Sequence, residues 1–379
     1  MDTPSSIHEL IKSLMDTSTP FPARLLYHFS DLAPDERLVL ASAWQSIPVM
    51  RRRSLLQDLL ELSEHDFLLM FEEIGRMALK DIDSECVVSG ISLLLEEEDP
   101  KLIPEFLRLQ ADQTQADFVR AAAANALGHF IYLGELEKLD PAILHRIEDA
   151  LLQAYADDKS DLVRRRAMES LGYSSREEVP PLLRSASANA SEDWLESALF
   201  AMGKSADTQW ESLVLEQLDH ENPIVKGQAI HAAGELELRS AKSRLLKQLN
   251  REKDEYLRSE LIWALSQIGG EGVEEKFEQL LAKTDNEEEA SLLEEALDML
   301  NFTNDSTDFE LMEVDYHHQH LDSDDEEDAY WDEEDDDFAD LDELDDDEWQ
   351  RYVDEDEDEL EGSLDDSYML EDPDDEEEL

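Results

Sequence analysis

The sequence has 379 residues, of which 41% are hydrophobic and 34% charged, and its formal net charge at pH 7 is −67. A surface this acidic argues against direct nucleic-acid or membrane partners and favours basic proteins or cations. The single cysteine, Cys86, excludes an intrachain disulfide and a thiolate metal cluster. Residues 1–14 lack a signal-peptide pattern, and no run approaches the roughly 20 apolar residues of a bilayer span, so we expect a cytoplasmic protein.

Residues 1–80 predict helices without a repeat, and we interpret them as a divergent N-terminal helical cap. Ser6 and Glu9 have the spacing of a capping box, which indicates a helix that ends near Met15. The apolar spacing predicts three further helices in this region: Pro34–Trp44, Met50–Leu62 and Asp66–Leu79.

From residue 81 onward, apolar residues recur at positions i, i+4 and i+8, and Gly often follows at i+9. This triad is one face of a helix, and we interpret the glycine as its stop. Alanine at i+4 would let neighbouring helices approach closely. The repeat period of about 32 residues fits two helices and two turns. The triads begin at Val87, Val119, Val163, Trp194, Val225, Leu257 and Leu292.

A second amphipathic segment follows each triad and predicts the second helix of the repeat. Asp99, Asp140 and Asn222 each precede a proline, which predicts a capped helix start. The insertion Phe130–Asp140 predicts a longer loop or an extra turn. The second segments are Pro100–Leu109, Pro141–Tyr155, Val179–Arg184, Trp210–Leu218, Ala241–Leu249 and Val273–Leu281.

The pattern Val-Arg-x-x-Ala-x-x-x-Leu-Gly, present at residues 119–128 and 163–172, resembles HEAT repeats, above all the short bacterial type of phycobilin-lyase-like proteins. The resemblance covers residues 81–304 and implies an all-α, right-handed superhelix, a HEAT-like solenoid. It also implies that the Val-Arg helices line the concave face of the solenoid.

Relatives of this repeat family include deoxyhypusine hydroxylases, which bind iron through His-Glu pairs on successive helices. The only His-Glu pair here is His8-Glu9, outside the repeats, while Phe130 and Ala232 follow the repeat histidines. We therefore expect no enzyme activity, no cofactor and no structural metal. His317, His318 and His320 would bind transition metals only weakly. The alternative is an enzyme or cofactor-handling protein related to the lyase-like repeats.

Two arginine clusters, Arg51–Arg53 and Arg164–Arg166, stand out in so acidic a chain. Consecutive helical residues point in different directions, so neither cluster forms one flat patch. We expect Arg164 to pair with a carboxylate of the adjacent repeat, with its neighbours solvated. The alternative is that these arginines bind the chain's own acidic segment or an acidic partner.

Residues 305–379 predict a disordered acidic tail. From Leu321 onward there are 35 Asp and Glu residues against one base, Arg351, so the segment repels itself. Aromatic and aliphatic residues interleave with the acids and would anchor a basic partner with an apolar groove. The candidate partner-binding residues are Trp331, Phe338, Leu341, Leu344, Trp349 and Tyr352.

The functional hypothesis is a noncatalytic scaffold or adaptor, in which the solenoid groove and the acidic tail bind basic protein partners. In the alternative, the tail is an autoinhibitor that occupies the groove until a partner displaces it. The sequence indicates no particular oligomeric state.

Overall fold

The computed structural model describes residues 7–30 and 32–301, and every regular element within these ranges is helical. The predicted all-α class is confirmed there. The chain divides into two compact units, whose described parts are residues 7–126 and 127–301. The acidic tail, with all six candidate partner-binding residues, lies outside the described residues, and its predicted start at 305 stays a prediction.

The first unit contains six complete helices and the start of a seventh. They are α1 (Ile7–Met15), α2 (Pro34–Trp44), α3 (Val49–His65), α4 (Glu72–Leu79), α5 (Ser84–Leu93), α6 (Leu102–Ala111) and the beginning of α7 (Asp117–Glu135), with a 3₁₀ segment at Ala23–Phe29.

The prediction of a helix from Asp66 was wrong, because Asp66 instead closes α3. Its amide donates to the Leu62 carbonyl at 3.0 Å, and its carboxylate accepts the Leu68 amide at 3.1 Å. These two bonds turn the chain, and α4 begins only at Glu72.

The arginines of the first cluster point to three separate places. Arg52 is buried and donates to both oxygens of Asp81, at 2.7 and 2.9 Å. The Trp44 indole donates to the same carboxylate at 2.7 Å. These bonds offset the cost of burying the charges. Arg51 donates to backbone carbonyls, and Arg53 pairs with Asp83. The cluster therefore connects α3 to its surroundings and forms no single patch.

The second unit contains the rest of α7 and nine further complete helices. They are α8 (Pro141–Asp157), α9 (Asp161–Leu171), α10 (Val179–Ser187), α11 (Glu192–Lys204), α12 (Glu211–Gln217), α13 (Pro223–Glu235), α14 (Lys242–Leu249), α15 (Glu255–Ile268) and α16 (Glu274–Leu281). A 3₁₀ turn, Thr208–Trp210, precedes α12, and residues 287–301 are helical as well.

First helices, which carry the triads, alternate with second helices along this unit. We call α9, α11, α13, α15 and helix 287–301 the first helices, and α8, α10, α12, α14 and α16 the second helices. Each of the first helices α9, α11 and α13 packs against the next first helix, and the second helices α8, α10, α12 and α14 each pack against the first helix that follows. This sequential packing is the arrangement expected of HEAT-like repeats.

The triads of α9, α11, α13 and α15 are fully buried, as predicted. Two other triads are corrected by one residue. α5 ends at Leu93 in a tight turn, where the Leu94 amide bonds to the Ile91 carbonyl at 3.0 Å, so Leu94 is buried in place of Leu95. In helix 287–301 the buried series begins at Leu293 and not at Leu292.

Three of the four glycines at i+9 are not helix stops, contrary to the prediction, whereas Gly172 is the C-cap of α9, as predicted. Gly128 lies inside α7, Gly203 inside α11 and Gly234 inside α13. The absent side chains at these positions also allow close contact: a Cβ on Gly172 would lie 2.7 Å from the Ala201 backbone, and one on Gly234 would lie 2.8 Å from the Ala264 Cα.

The predicted caps are confirmed at two of three sites. Asp140 accepts the Ala142 amide at 2.6 Å, and Asn222 accepts the Ile224 amide at 2.9 Å. Asp99 does not cap a helix, because α6 begins at Leu102. Its carboxylate pairs with Arg76 and accepts the Lys101 amide at 3.0 Å. The insertion at 130–140 lengthens α7 to Glu135 and then forms a short turn.

Candidate functional site

The exposed apolar side chains of the second unit concentrate on one set of helices. Among residues 127–301, the large hydrophobic side chains that are exposed all lie on triad-bearing helices or directly after one, and the second helices contribute none. They are Tyr132, Leu136, Ile224, Tyr256 and Met299. These side chains therefore share one class of helix, and Ile224 and Tyr256 occupy equivalent positions on the adjacent first helices α13 and α15.

We define the first-helix face as the solvent-facing side of α9, α11, α13 and α15. Counted from the first triad residue of each helix, the face comprises positions −1, +2, +3, +6 and +10. Aromatic side chains recur at the sixth position as Phe200, His231 and Trp263, on three successive first helices. A row of equivalent positions therefore crosses the helices.

His231 links α13 to α15 at the centre of this row. Its ring stacks on Trp263 with centroids 4.0 Å apart, Nδ1 lies 3.0 Å from the Glu260 carboxylate, and Nε2 lies 3.3 Å from Glu235. Burial lowers the pKa of His231, but the hydrogen bonds to Glu235 and Glu260 outweigh burial and raise it to about 9. The imidazole is therefore protonated at neutral pH and donates to both carboxylates.

Lys204 makes the corresponding link between α11 and α13. Its ammonium lies 2.6 Å from Glu235 and over the rings of Phe200 and Tyr173, 5.6 and 6.0 Å from their centroids. The hydrogen bond from His231, together with the one from Lys204, lowers the pKa of Glu235 to about 2 despite burial. Glu235 therefore remains ionised and holds two cations in place.

The second arginine cluster is arranged differently from the prediction. Arg164 makes its hydrogen bonds and its ion pair within its own repeat, where Nε donates to the Tyr155 carbonyl at 2.8 Å and the guanidinium approaches Asp161. Its contact with the adjacent repeat is to an aromatic ring and not to a carboxylate: the guanidinium lies 5.3 Å from the centroid of Trp194. Arg165 is the residue that reaches a carboxylate of the adjacent repeat, 3.2 Å from Ser197 and 3.8 Å from Asp193. The helical turn between adjacent residues explains the difference, because it points Arg164 back toward α8.

The arginine of the Val-Arg pattern has the same structural role in α15. Arg258 donates to the Leu249 carbonyl at 3.2 Å and to the Glu252 carbonyl at 3.0 Å. It satisfies carbonyls at and after the end of α14, as Arg164 does near the end of α8. These arginines therefore orient the first helices and are not free to bind an anionic partner.

Glu196 and Tyr256 lie on the same face between these links. Glu196 has no hydrogen-bond donor or ion-pair partner within the described residues, and burial raises its pKa, with Arg165 opposing the effect. The Tyr256 ring lies across α13, so that a Cβ on Gly227 would meet its hydroxyl at 2.5 Å. Tyr256 interacts electrostatically with both Glu260 and Glu196.

An open cavity of about 650 Å³ lies in the first unit, between the 3₁₀ segment and α3. Phe21 and Leu62 contribute apolar surface, and Arg51, Asp58 and His65 contribute polar groups. Burial and the neighbouring Glu61 raise the pKa of Asp58, and Arg51 opposes this. These groups form no set with an evident chemical task.

Neither a metal centre nor a membrane span occurs in the part of the chain that the structure describes. There, no group of three His, Cys, Asp or Glu side chains could hold an ion. No helix in the same ranges is both long and apolar enough to cross a bilayer. The histidines at 317, 318 and 320 lie outside these ranges.

The sequence prediction placed its candidate residues in the tail and missed the first-helix face. A signal was present: Phe200, His231 and Trp263 each follow the first triad residue by six positions.

Comparison with known proteins supports the repeat assignment in the C-terminal half of the second unit. Residues 211–298 match the family model of HEAT repeats. A search of curated proteins gave no match.

Three solved structures of other proteins are similar to this chain. The YibA protein of Escherichia coli is 18% identical, with a TM-score of 0.40 and coverage of 76% of this chain and 98% of its own. Human deoxyhypusine hydroxylase in complex with glycerol is 16% identical, with a TM-score of 0.30 and coverage of 69% and 95%. A crystal structure of importin beta is 13% identical, with a TM-score of 0.39 and coverage of 78% and 46%. The family match therefore shows a similarity to HEAT repeats over residues 211–298.

Proposed function

We propose that this chain is a noncatalytic interaction protein that binds protein partners on its first-helix face. The observation that carries the proposal is that, among the described residues of the second unit, exposed large apolar side chains such as Ile224 and Tyr256 occur on first helices and not on second helices. Stacked helical repeats present extended surfaces of this kind to partners. Internal links, such as the one from Lys204 to Glu235, hold the face in a fixed conformation before binding.

The chemistry of His231 supports a noncatalytic role. A general base works best with a pKa near the operating pH, whereas His231 has a pKa of about 9 and its ring nitrogens face carboxylates. The alternative remains an enzyme or cofactor-handling protein related to phycobilin-lyase-like repeats. A chromophore or metal that copurifies in stoichiometric amount would decide for that alternative.

The acidic segment from Leu321 to Leu379 is the second contact in this proposal. Its 35 carboxylates would attract basic proteins of the cytoplasm over long range. Trp331, Phe338, Leu341, Leu344, Trp349 and Tyr352 would then dock locally on the partner. The support for this part is the sequence, since these residues lie outside the described ranges.

The test is a comparison of three full-length proteins in pull-downs from native cells, followed by binding measurements with each purified partner. The face variant carries Ile224→Ser and Phe200→Ser. The control variant carries Glu216→Ser and Glu275→Ser at exposed positions of the second helices. We expect a partner that binds the wild type and the control and whose affinity for the face variant falls at least about tenfold. Equal binding to all three would overturn the proposal.

A further inference from the structure

Most charged groups of the first-helix face neutralise one another across neighbouring helices. Lys204 pairs with Glu235, His231 pairs with Glu235 and Glu260, and Arg165 approaches Asp193. Arg166 is engaged by Glu169 on its own helix. These pairs leave no excess positive charge on the face, so it offers little to an acidic partner.

Glu196 is the exception in this pattern. It lies on α11 between Arg165 and the helices α13 and α15, and no donor within the described residues meets its carboxylate. A partly buried carboxylate that lacks a partner carries a desolvation cost that a cation could remove. Arg165 and Arg166 lie near this position, as do Glu169 and Asp193, so the surrounding charges largely offset one another. The carboxylate of Glu196 itself remains without a donor and can accept a cation.

Tyr256 gives the same position an aromatic wall. Its ring lies on the backbone of α13, where Gly227 has no side chain to displace it. The ring is partly exposed, and Gly227, which lies against its hydroxyl, is the position of α13 equivalent to Glu196 on the adjacent helix α11. Ile224, at the equivalent position of the preceding first helix, is 49% exposed. A carboxylate beside an aromatic ring suits a guanidinium or ammonium group, because the cation gains both an ion pair and the face of the ring.

We propose that Glu196 and Tyr256 receive one arginine or lysine side chain from an extended segment of a partner protein, with Ile224 contacting an apolar side chain of that segment. The inference rests on the proposed function, because it uses the same face. It adds a definite chemistry: the segment that binds the repeats is basic and carries a neighbouring apolar residue.

The test uses the full-length protein and a random peptide library displayed on phage, selected in high salt to suppress diffuse binding to the acidic segment. We expect the enriched peptides to share an arginine or lysine next to an apolar residue. One enriched peptide is then synthesised as the probe, together with a version whose basic residue is replaced by Gln. Each peptide is titrated against the wild type, Glu196→Gln and the control Glu275→Gln.

A double-mutant cycle separates the site from the general acidity of the chain. Glu196→Gln in the protein and the basic residue→Gln replacement in the peptide should each weaken binding about tenfold. When the protein already carries Glu196→Gln, the peptide replacement should weaken binding little further. Tyr256→Leu should cost about two- to fivefold for the basic peptide. With the control protein Glu275→Gln, the peptide replacement should weaken binding as much as it does with the wild-type protein.

Two contrary outcomes are distinguishable. If the probe loses affinity for the face variant but shows no coupling to Glu196, the basic-segment inference fails while the proposed function stands. Enrichment of peptides that lack a basic residue would likewise contradict the basic-segment inference and leave the proposed function standing. If the probe binds the face variant as tightly as the wild type, the first-helix face is not the binding surface and the proposed function fails with the inference.

Discussion

The alanine at the centre of three triads sets how closely α9, α11 and α13 approach. Ala167, Ala198 and Ala229 are fully buried, each in the middle of its helix. An alanine side chain fills this position without pushing the adjacent helices apart. The spacing of these three helices therefore depends on a methyl group in each, whereas Leu261 occupies the equivalent position of α15.

Replacing Ala167 with Leu should lower the free energy of unfolding by about 1–3 kcal/mol, because the added atoms have no space between α9 and its neighbours. Chemical denaturation followed by circular dichroism measures the change. Ala142→Leu is the control, since Ala142 is exposed in the first turn of α8. An unchanged midpoint for Ala167→Leu would contradict the packing described for α9.

His231 should make stability depend on pH. Its pKa is about 9 in the folded protein and about 6.5 in an unfolded chain. Because folding raises the pKa, the stabilisation is fully present below pH 6.5 and is lost as the pH rises through 9. Between these values the wild type should lose about 1–2 kcal/mol more than His231→Gln, with partial exposure limiting the effect. Parallel pH profiles for the two proteins would show that the ion pairs to Glu235 and Glu260 contribute nothing.

At the scale of helices, the glycine that ends each triad pattern controls the contact with the next first helix. The backbone of α11 lies against Gly172 so closely that an added Cβ would be 2.7 Å from both the Cα and the carbonyl oxygen of Ala201. At Gly203 the nearest atom of α13 would be 3.2 Å away, from Ala232. A methyl group at Gly172 would therefore displace the backbone of the neighbouring helix more than a methyl group at Gly203 would.

Gly172→Ala should destabilise the protein by about 1–3 kcal/mol, although alanine favours helices more than glycine by about 1 kcal/mol. The clash is with backbone, which cannot rotate away. Gly203→Ala is the matched comparison and should change stability far less, because its looser contact is offset by the better helix propensity. Thermal or urea unfolding of both variants gives the result, and a stabilised Gly172→Ala would refute the close contact.

Much of the helical pattern could be predicted because burial imposes a period on the sequence. The α2 bounds and the triads of α9, α11, α13 and α15 follow from apolar spacing alone. The start of α4 could not, because it depends on side-chain bonds made by Asp66. The stops predicted at Gly203 and Gly234 were wrong, since a glycine after an apolar run has the same pattern whether it ends a helix or contacts another one.

The candidate site was harder to predict than the fold. The link from His231 to Glu260 joins residues 29 apart, and nothing local to either residue signals it. The sequence prediction likewise paired Arg164, and not Arg165, with a carboxylate of the adjacent repeat. Spacing alone cannot decide which of two consecutive arginines on a helix faces that repeat. Side-chain direction, which decides such pairs, is a property of the packed helices.

At the scale of the whole molecule, the basic side chains of the repeats are largely engaged. Arg176 meets Asp149 and Glu178, Lys226 meets Glu252, and Arg244 meets Asp219. A segment with 35 carboxylates would have to compete with these existing partners to bind its own repeats. The charge distribution therefore favours an external basic partner for the acidic segment over autoinhibition.

The aromatic residues of the acidic segment should decide how specific its binding is. Replacing Trp331, Phe338, Trp349 and Tyr352 with Ser leaves all 35 carboxylates in place. If these residues dock on the partner, the variant should lose most of the binding that survives in about 1 M salt, where charges are screened beyond roughly 3 Å. The measurement is a salt series with a purified partner. Unchanged binding at every salt concentration would leave electrostatic attraction as the only role of the segment.

The side-chain links between first helices also determine the order in which the repeats can open. Arg165 joins α9 to α11, Lys204 joins α11 to α13, and His231 joins α13 to α15, so each link connects nearest neighbours along the chain. In such a one-dimensional array, cooperativity passes from one repeat to the next. Fraying of helix 287–301 would remove the carboxylate of Glu289 from Arg258 and loosen α15 before any other first helix of the unit. Amide protection against hydrogen exchange should therefore rise stepwise from residue 301 back toward α9.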